Sequence, residues 1–470
     1  MSFLIYDVIL LGVLVLAVAI FLYRKRKNLK KDGGAFLYKT RWGMDLIDKL
    51  GNKYKKTLKF LSYVSIGVGY ILMIGMFWLF YTILKMYILR PDVVRAIKVP
   101  PVMPLIPYID KLVPGLPPFY TTYFIIILAI IAISHEFSHG IFMRRYDIKI
   151  KSTGFGFFPF FFPVLPLAFV EQDEKSMIKK SKFKQMAVLS AGTFANVLTA
   201  VFFFFIIWGF FTASFAPAGV VFDDYSYSIV PISSITMING VSVSNPSYDS
   251  LAELAKSSDF NNISVGADKF VGIKSFSDDE KLIVLYNDAP AINAKLNGAI
   301  TKINGNRIYG VTDLSSELSG YKPGDKIILN VKLKDEVKDY ELILGEHPEK
   351  PGVAWLGIGF VNQEGGSLMN KVFATLSSFK KPNTYYESRT GEFGWFVYYL
   401  LWWLILISVS VALVNMLPVG ILDGGRFFYL TMIAVTGKEI WAKRSFKFLT
   451  WLFLLLLAGI MALWAYALIF

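Results

Sequence analysis

Five apolar stretches of this 470-residue chain are long enough to cross a lipid bilayer, from about Phe3 to Tyr23, Phe60 to Tyr87, Tyr120 to Met143, Met186 to Phe211 and Trp395 to Leu417, and a sixth runs from Phe448 to the C-terminus. A hydrocarbon core of about 30 Å takes about 20 helical residues at 1.5 Å each, and every backbone polar group inside it must be bonded within the protein. The sequence therefore predicts an α-helical polytopic membrane protein with about six transmembrane helices, not a set of water-soluble domains. The first stretch has no basic leader and no small-residue cleavage site, and Arg24, Lys25, Arg26 and Lys27 follow it directly. It is expected to stay in the protein as a span.

The charges orient these spans. Residues 24–59 carry 13 Lys or Arg against 3 acids, a bias that places the segment in the cytoplasm and the N-terminus outside. Alternation then puts the loops around Arg144, Arg145, Lys149 and Lys151, around Lys175 to Lys184, and around Lys438 to Lys447 inside. All are basic. Residues 213–360, with 19 acids against 13 bases, fall outside by the same alternation, as does the C-terminus. The net charge of +14 is thus mostly a topology signal, and nucleic acid is not an expected partner. Another apolar run, Phe155 to Val170, contains Pro159, Pro163 and Pro166 and is flanked by two clusters that both belong in the cytoplasm. It cannot cross as one helix and is expected to dip into the membrane as a hairpin.

These boundaries divide the chain into N-terminal spans with a basic loop (1–119), a core (120–212), an extracytoplasmic region (213–362), a linker (363–392) and a C-terminal core (393–470). The extracytoplasmic region holds an internal repeat. Ser234-Ile-Thr-Met-Ile-Asn-Gly240 returns as Ala299-Ile-Thr-Lys-Ile-Asn-Gly305, each an apolar strand entering an Asn-Gly turn. The second copy continues through a short helix at Asp313 to Leu318, the turn Lys322-Pro-Gly-Asp325 and the strand Ile327 to Leu333. This succession resembles the PDZ family, closely over 281–348 and loosely over 217–280. The resemblance implies α+β domains that take an extended peptide onto a sheet edge. His347, among Glu346, Pro348 and Glu349, is expected to be solvated.

The third span contains Ser134-His135-Glu136-Phe137-Ser138-His139-Gly140. Helical residues i and i+4 lie about 40° apart around the axis, so His135 and His139 can aim two imidazoles at one metal ion. Glu136 borders that face, placed as a non-ligand carboxylate that can take a proton from metal-bound water. Two of the three histidines in the chain belong to this motif. Two imidazoles and a carboxylate inside an apolar span cost several kcal/mol or more, which marks them as functional. A catalytic zinc site has three protein ligands. With no cysteine in the chain, the third is expected to be a carboxylate near the cytoplasmic end of another span. Asp423, in Asn415-Met-Leu-Pro418-Val-Gly-Ile-Leu-Asp423-Gly424-Gly425, is the best-placed candidate. Asp147 and Glu171 compete, though both sit among basic loop residues, and Asp7 starts on the opposite side.

H-E-x-x-H in one span, then a PDZ-bearing insertion, then N-x-x-P-x-x-x-x-D-G-G in another, resembles the site-2 protease family of intramembrane zinc metalloproteases. The match covers roughly Tyr120 to Phe211 and Phe393 to Phe428. It implies zinc ligands at His135, His139 and Asp423, Glu136 as catalytic acid/base, and substrate contacts at Asn415 and Pro418. Ser190-Ala-Gly192-Thr-Phe-Ala-Asn196 is similar to the family's A-G-P-x-x-N element with Thr193 in place of proline, and implies that Asn196 donates to a polarised carbonyl or the substrate backbone, the alternative being an interhelical hydrogen bond. Gly154-Phe-Gly156 is similar to the family's G-x-G element in a membrane-dipping hairpin, whose exposed edge would hold substrate as a strand. The function implied is hydrolysis of peptide bonds in membrane-spanning proteins or peptides, in a cell membrane, with the active site toward the cytoplasm. A membrane zinc transporter or sensor, and an inactive homologue that only binds membrane proteins, are the competing expectations.

Overall fold

The computed structural model describes residues 3–32, 35–90, 103, 105–113, 115–157, 166–255, 261–276, 281–333, 336–360 and 378–469. Two compact units emerge, one formed by Met1–Phe210 with Trp395–Phe470 and the other by Phe211–Gly394.

In the first unit, six helices among the described residues are long and apolar enough to cross a membrane. They are α1 (Phe3–Lys25), α3 (Lys55–Leu89), α4 (Thr121–Arg145), α6 (Lys182–Ser214), α7 (Glu392–Asn415) and α9 (Glu439–Ile469). Shorter helices α2 (Met44–Lys53), α5 (Glu174–Ile178) and α8 (Asp423–Thr436) lie between them. The apolar stretch after the D-G-G motif is thus helix α8, and Gly437, at φ 66°, turns the chain from α8 toward α9.

Helix α4 is held by contacts that match its sequence. Its first N–H groups have no partner within the helix, and the Asp7 carboxylate supplies one from α1: Oδ2 accepts from Thr121 N at 2.6 Å, and Oδ1 from Thr122 N at 3.0 Å and Thr122 Oγ1 at 2.6 Å. Tyr108 also donates to Asp7 Oδ2, at 2.8 Å. An anion at a helix N-terminus is favoured by the helix dipole. Asp7 is the buried residue of α1, and this capping contact ties that helix to the core together with the rings of Phe3, on Tyr120 and Phe396, and Phe21, on Tyr38 and Phe157. At the other end, amphipathic α2 packs on α4 through glycines. A Cβ at Gly140 would lie 2.8 Å from Ile47 Cδ1, and one at Gly51 would lie 2.9 Å from the Ile141 carbonyl. The Asp48–Arg144 ion pair closes that contact.

Small and polar residues also let α6 enter the centre of the unit, where every residue from Gln185 to Asn196 is buried. Without a hydrophobic drive between helices in lipid, such close approach and interhelical hydrogen bonds carry the packing. Ser190 Oγ donates to Ser65 Oγ in α3 at 3.1 Å, and Tyr146 donates to Ser62 Oγ at 2.8 Å. Helix α7 joins α4 through Phe119, Tyr123, Trp403 and Ile407, with Trp403 Nε1 donating to the Pro118 carbonyl at 3.0 Å.

Two expectations are corrected here. The basic 24–59 segment is not merely a loop. It forms a hairpin, β1 (Leu29–Asp32) and β2 (Ala35–Thr40), which continues antiparallel onto β3 (Ile150–Phe157) and β4 (Pro166–Gln172), so the expected two-stranded hairpin is a four-stranded sheet in the order β1-β2-β3-β4. The expected linker 363–392 also contributes structure, because the β-branched and aromatic run Thr384–Ser388 pairs with Phe215–Val221 in the second unit.

Among the described residues the second unit contains two six-stranded sheets, one of them built on Ala299–Ile303, Lys326–Leu333 and Glu336–Ile343. The sequence repeat is visible at atomic level. Both Asn-Gly pairs have positive φ at both residues, 50° and 81° at Asn239-Gly240, 47° and 87° at Asn304-Gly305, the backbone that a two-residue hairpin loop requires. Each Asn then pairs with the neighbouring strand in the same way. Asn239 donates its N–H to Asn262 O and accepts from Asn262 N, and Asn304 does the same with Ile328.

Candidate metal centre and active site

One turn of α4 separates His135 from His139, and their Nε2 atoms lie 3.0 Å apart. Asp423, at the first turn of α8, brings Oδ2 to 3.3 Å from His135 Nε2 and 3.2 Å from His139 Nε2. Among the described residues this is the cluster of His and acidic side chains able to hold a metal ion. Tetrahedral zinc with ligands at about 2.0–2.1 Å requires donors about 3.3 Å apart, so the three separations fit the ion. Neutral imidazole and carboxylate are the matching donor types.

The sequence delivers Asp423 to this point through its glycines. A Cβ at Gly424 would lie 2.6 Å from the Leu417 carbonyl, and one at Gly425 would lie 2.7 Å from the Val419 carbonyl carbon. Only residues without side chains let α8 start so close to the turn that ends α7. Pro418 is buried in that turn, where its carbonyl faces Thr450 Oγ1 at 3.3 Å, and it does not line the cavity beside the metal cluster. Asn415 does line it.

Both imidazoles are oriented from behind by α6. His139 Nδ1–H donates to the Val188 carbonyl at 2.7 Å, which leaves Nε2 as a lone-pair donor. His135 Nδ1 meets the Asn196 amide at 3.1 Å. Asn196 is fully buried and its Oδ1 has no hydrogen-bond partner. Exchanging the two near-isosteric amide atoms resolves this: Oδ1 then accepts from His135 Nδ1–H, and the second Nε2 is also freed for metal. Gly192 completes the backing, because a Cβ there would lie 2.6 Å from both His135 Nε2 and Cε1. Asn196 was expected to face the substrate. It is instead engaged with His135 and does not line the cavity.

Among the described residues the competing carboxylates do not belong to the cluster. Glu171 accepts from Lys39 and Ser152, which overcome burial and hold its carboxyl below the usual range. Asp147 sits at φ 52° in the turn after α4. Asp7 caps α4.

Glu136 faces a cavity of about 800 Å³ shared with His135, His139 and Asp423, and polar residues including Lys151, Gln172 and Glu174 also line it. Its Oε2 accepts from Val170 N at 2.9 Å, a bond to β4 that the sequence reading missed. The Gly154–Gly156 segment was expected to present an exposed edge. Gly154 is paired on both sides, with Lys39 in β2 and Phe169 in β4, because the β1–β2 hairpin takes the second edge of β3. A Cβ at Gly154 would lie 2.9 Å from Phe169 Cζ, so this glycine serves sheet packing. The outer strand beside the cavity is β4, which contributes Ala168, Phe169 and Val170 to its lining.

The chain is similar to several known proteins. An uncharacterized protein of Methanocaldococcus jannaschii is 34% identical over 194 residues, 41% of this chain and 48% of that protein. Zinc metalloprotease RasP of Geobacillus kaustophilus is 38% identical over 52 residues, 11% of this chain and 12% of that protein. The chain thus matches about half the length of the first relative and much less of the second. Among solved structures, the PDZ domain of an SdrC-like protein from Listeria monocytogenes is similar at 26% identity, covering 16% of this chain and 78% of that domain with a TM-score of 0.14. Peptidase family M50 matches residues 123–459, a range that begins in α4 before His135 and ends in α9 beyond Asp423, and with both halves of the metal cluster inside that match the chain belongs to this family, the site-2 protease family.

Proposed function

We propose that this protein is an intramembrane zinc endopeptidase that hydrolyses peptide bonds of membrane-spanning proteins, in a cell membrane, with its active site toward the cytoplasmic side and the Phe211–Gly394 unit extracytoplasmic. The observation that carries the reading is the meeting, in one cavity, of three metal donors, a carboxylate that is not one of them, and an outer β-strand. A transporter or sensor needs only the donors. When bound by His135, His139 and Asp423, zinc supplies a Lewis acid that polarises the scissile carbonyl and acidifies a water molecule.

The chain's own residues do the rest. A peptide bond in a membrane helix is hydrogen-bonded and shielded, so the substrate must first unwind. Strand β4 offers replacement backbone partners: Val170 spends its N–H on Glu136, which shows the side that edge faces, and Ala168, two residues away, turns its N–H and C=O to the same side. Glu136 takes a proton from the attacking water and passes it to the leaving nitrogen. Asn415 lines the cavity as a further substrate contact. The polar rim admits the water that hydrolysis consumes. The extracytoplasmic unit, with its Asn-Gly hairpin repeats, is suited to bind an extended peptide of the substrate before cleavage.

The test is cleavage of a synthetic transmembrane peptide by purified protein and by Glu136→Gln. The variant is expected to lose cleavage by at least about 100-fold while retaining stoichiometric zinc. Undiminished cleavage, or metal flux without cleavage in the wild type, overturns the reading.

A further inference from the structure

Beside the metal cavity lies a second cavity of about 150 Å³ that the proposed mechanism does not use. It is apolar throughout. Leu14 of α1 and Phe124, Ala129 and Ile133 of α4 form its walls, and the cross-strand pair Phe155–Ala168 forms the side toward the sheet. The two cavities adjoin, since Leu128, Ala132 and Ala168 line both. An apolar cavity of this volume has room for a group about as large as a benzene ring.

Its position relative to the reactive groups follows from helix geometry. Ala129 precedes Glu136 on α4 by two helical turns, about 10 Å along the axis at 1.5 Å per residue. An extended chain covers that distance in about three residues at about 3.3 Å each. Strand β4 runs along about two-thirds of that interval between Val170, bonded to Glu136, and Ala168, which borders both cavities. A peptide lying along the β4 edge with its scissile bond beside Glu136 therefore passes the mouth of the second cavity.

We infer that this cavity is a specificity subsite that receives one bulky apolar side chain of the extended substrate, about three residues from the scissile bond. The inference rests on the peptidase reading and deepens it by naming which substrates are preferred. Ala129 is the residue that leaves the room: it is exposed in the groove, so a larger side chain there fills the space without disturbing buried packing.

The test uses full-length protein and synthetic transmembrane peptides that carry Phe, Leu, Ala or Gly at each of the positions flanking the cleaved bond. One position is expected at which Phe or Leu exceeds Gly in kcat/KM by at least about tenfold. Ala129→Leu is expected to collapse that ratio toward one, and Leu14→Ala, which enlarges the space, to shift the preference toward larger side chains. Absence of any positional preference, or an Ala129→Leu effect equal for all peptides, overturns the subsite. Failure of the wild type to cleave any peptide in a zinc-dependent way is a separate result: it refutes the peptidase reading itself and takes the subsite with it.

Discussion

Adding one methyl group at Gly192 gives the sharpest test of how the metal centre is supported. A Cβ at that position would stand 2.6 Å from His135 Nε2, whereas unstrained non-bonded contacts of carbon begin at about 3.5 Å. The deficit is about 0.9 Å. Residue 192 lies in the fully buried stretch of α6, whose backbone cannot easily retreat, so the imidazoles must move instead. They are also held by Val188 O and Asn196, and a shift of about 1 Å at reacting groups costs about 100-fold in rate. Helix propensity acts in the opposite direction, since alanine is favoured over glycine inside a helix by about 1 kcal/mol. Gly192→Ala should therefore lower peptide cleavage and zinc affinity by about 100-fold without lowering helical content or the unfolding temperature in detergent. Gly209→Ala is the control, because a Cβ there meets nothing within 4 Å in the same helix. Full activity and full zinc occupancy in Gly192→Ala would refute the claim that α6 sets the positions of the imidazoles.

Three further outcomes follow from the structure. Asn196→Ala removes the partner of His135 Nδ1 and should weaken zinc binding by about 10–100-fold in a chelator competition, with Asn196→Asp retaining most of the affinity. Asp7→Ala leaves the first N–H groups of α4 without their acceptor and should destabilise the folded protein by about 3 kcal/mol in detergent unfolding, an unchanged midpoint showing that the cap is dispensable. Glu171→Gln weakens contacts with Lys39 and Ser152 and should leave one zinc per chain, whereas Asp423→Asn should lose most of it, and the reverse ranking would identify Glu171 as the third ligand.

The parts of this molecule that were legible in sequence are those set by short-range rules. Each span is recognisable because about 20 apolar residues are needed to cross lipid, and all six appear as helices. His135 and His139 converge because four residues make roughly one helical turn. Asp423 was identifiable by its setting at the end of a span, and its glycines turn out to be demanded by close backbone packing. What escaped the sequence depends on partners distant along the chain. Residues 29–40 look like a basic loop until β3, more than 100 residues later, gives β2 a strand to pair with, and that pairing moves the free edge from the Gly154 strand to β4. Asp7 looked misplaced for metal binding, as it is, but its acceptor role exists only because Thr121 and Thr122 begin a helix beside it. The bond from Val170 N to Glu136 had no sequence signal at all, since any non-proline residue offers the same donor.

The central claim is that His135, His139 and Asp423 together bind one catalytic zinc ion. X-ray absorption at the zinc edge of the purified protein tests it most directly. The structure predicts one zinc per chain, with two imidazole nitrogens and oxygen at about 2.0–2.1 Å, and loss of one imidazole contribution in His139→Ala. Zinc that is substoichiometric at saturating supply, or a ligand shell unchanged by His139→Ala, would contradict it.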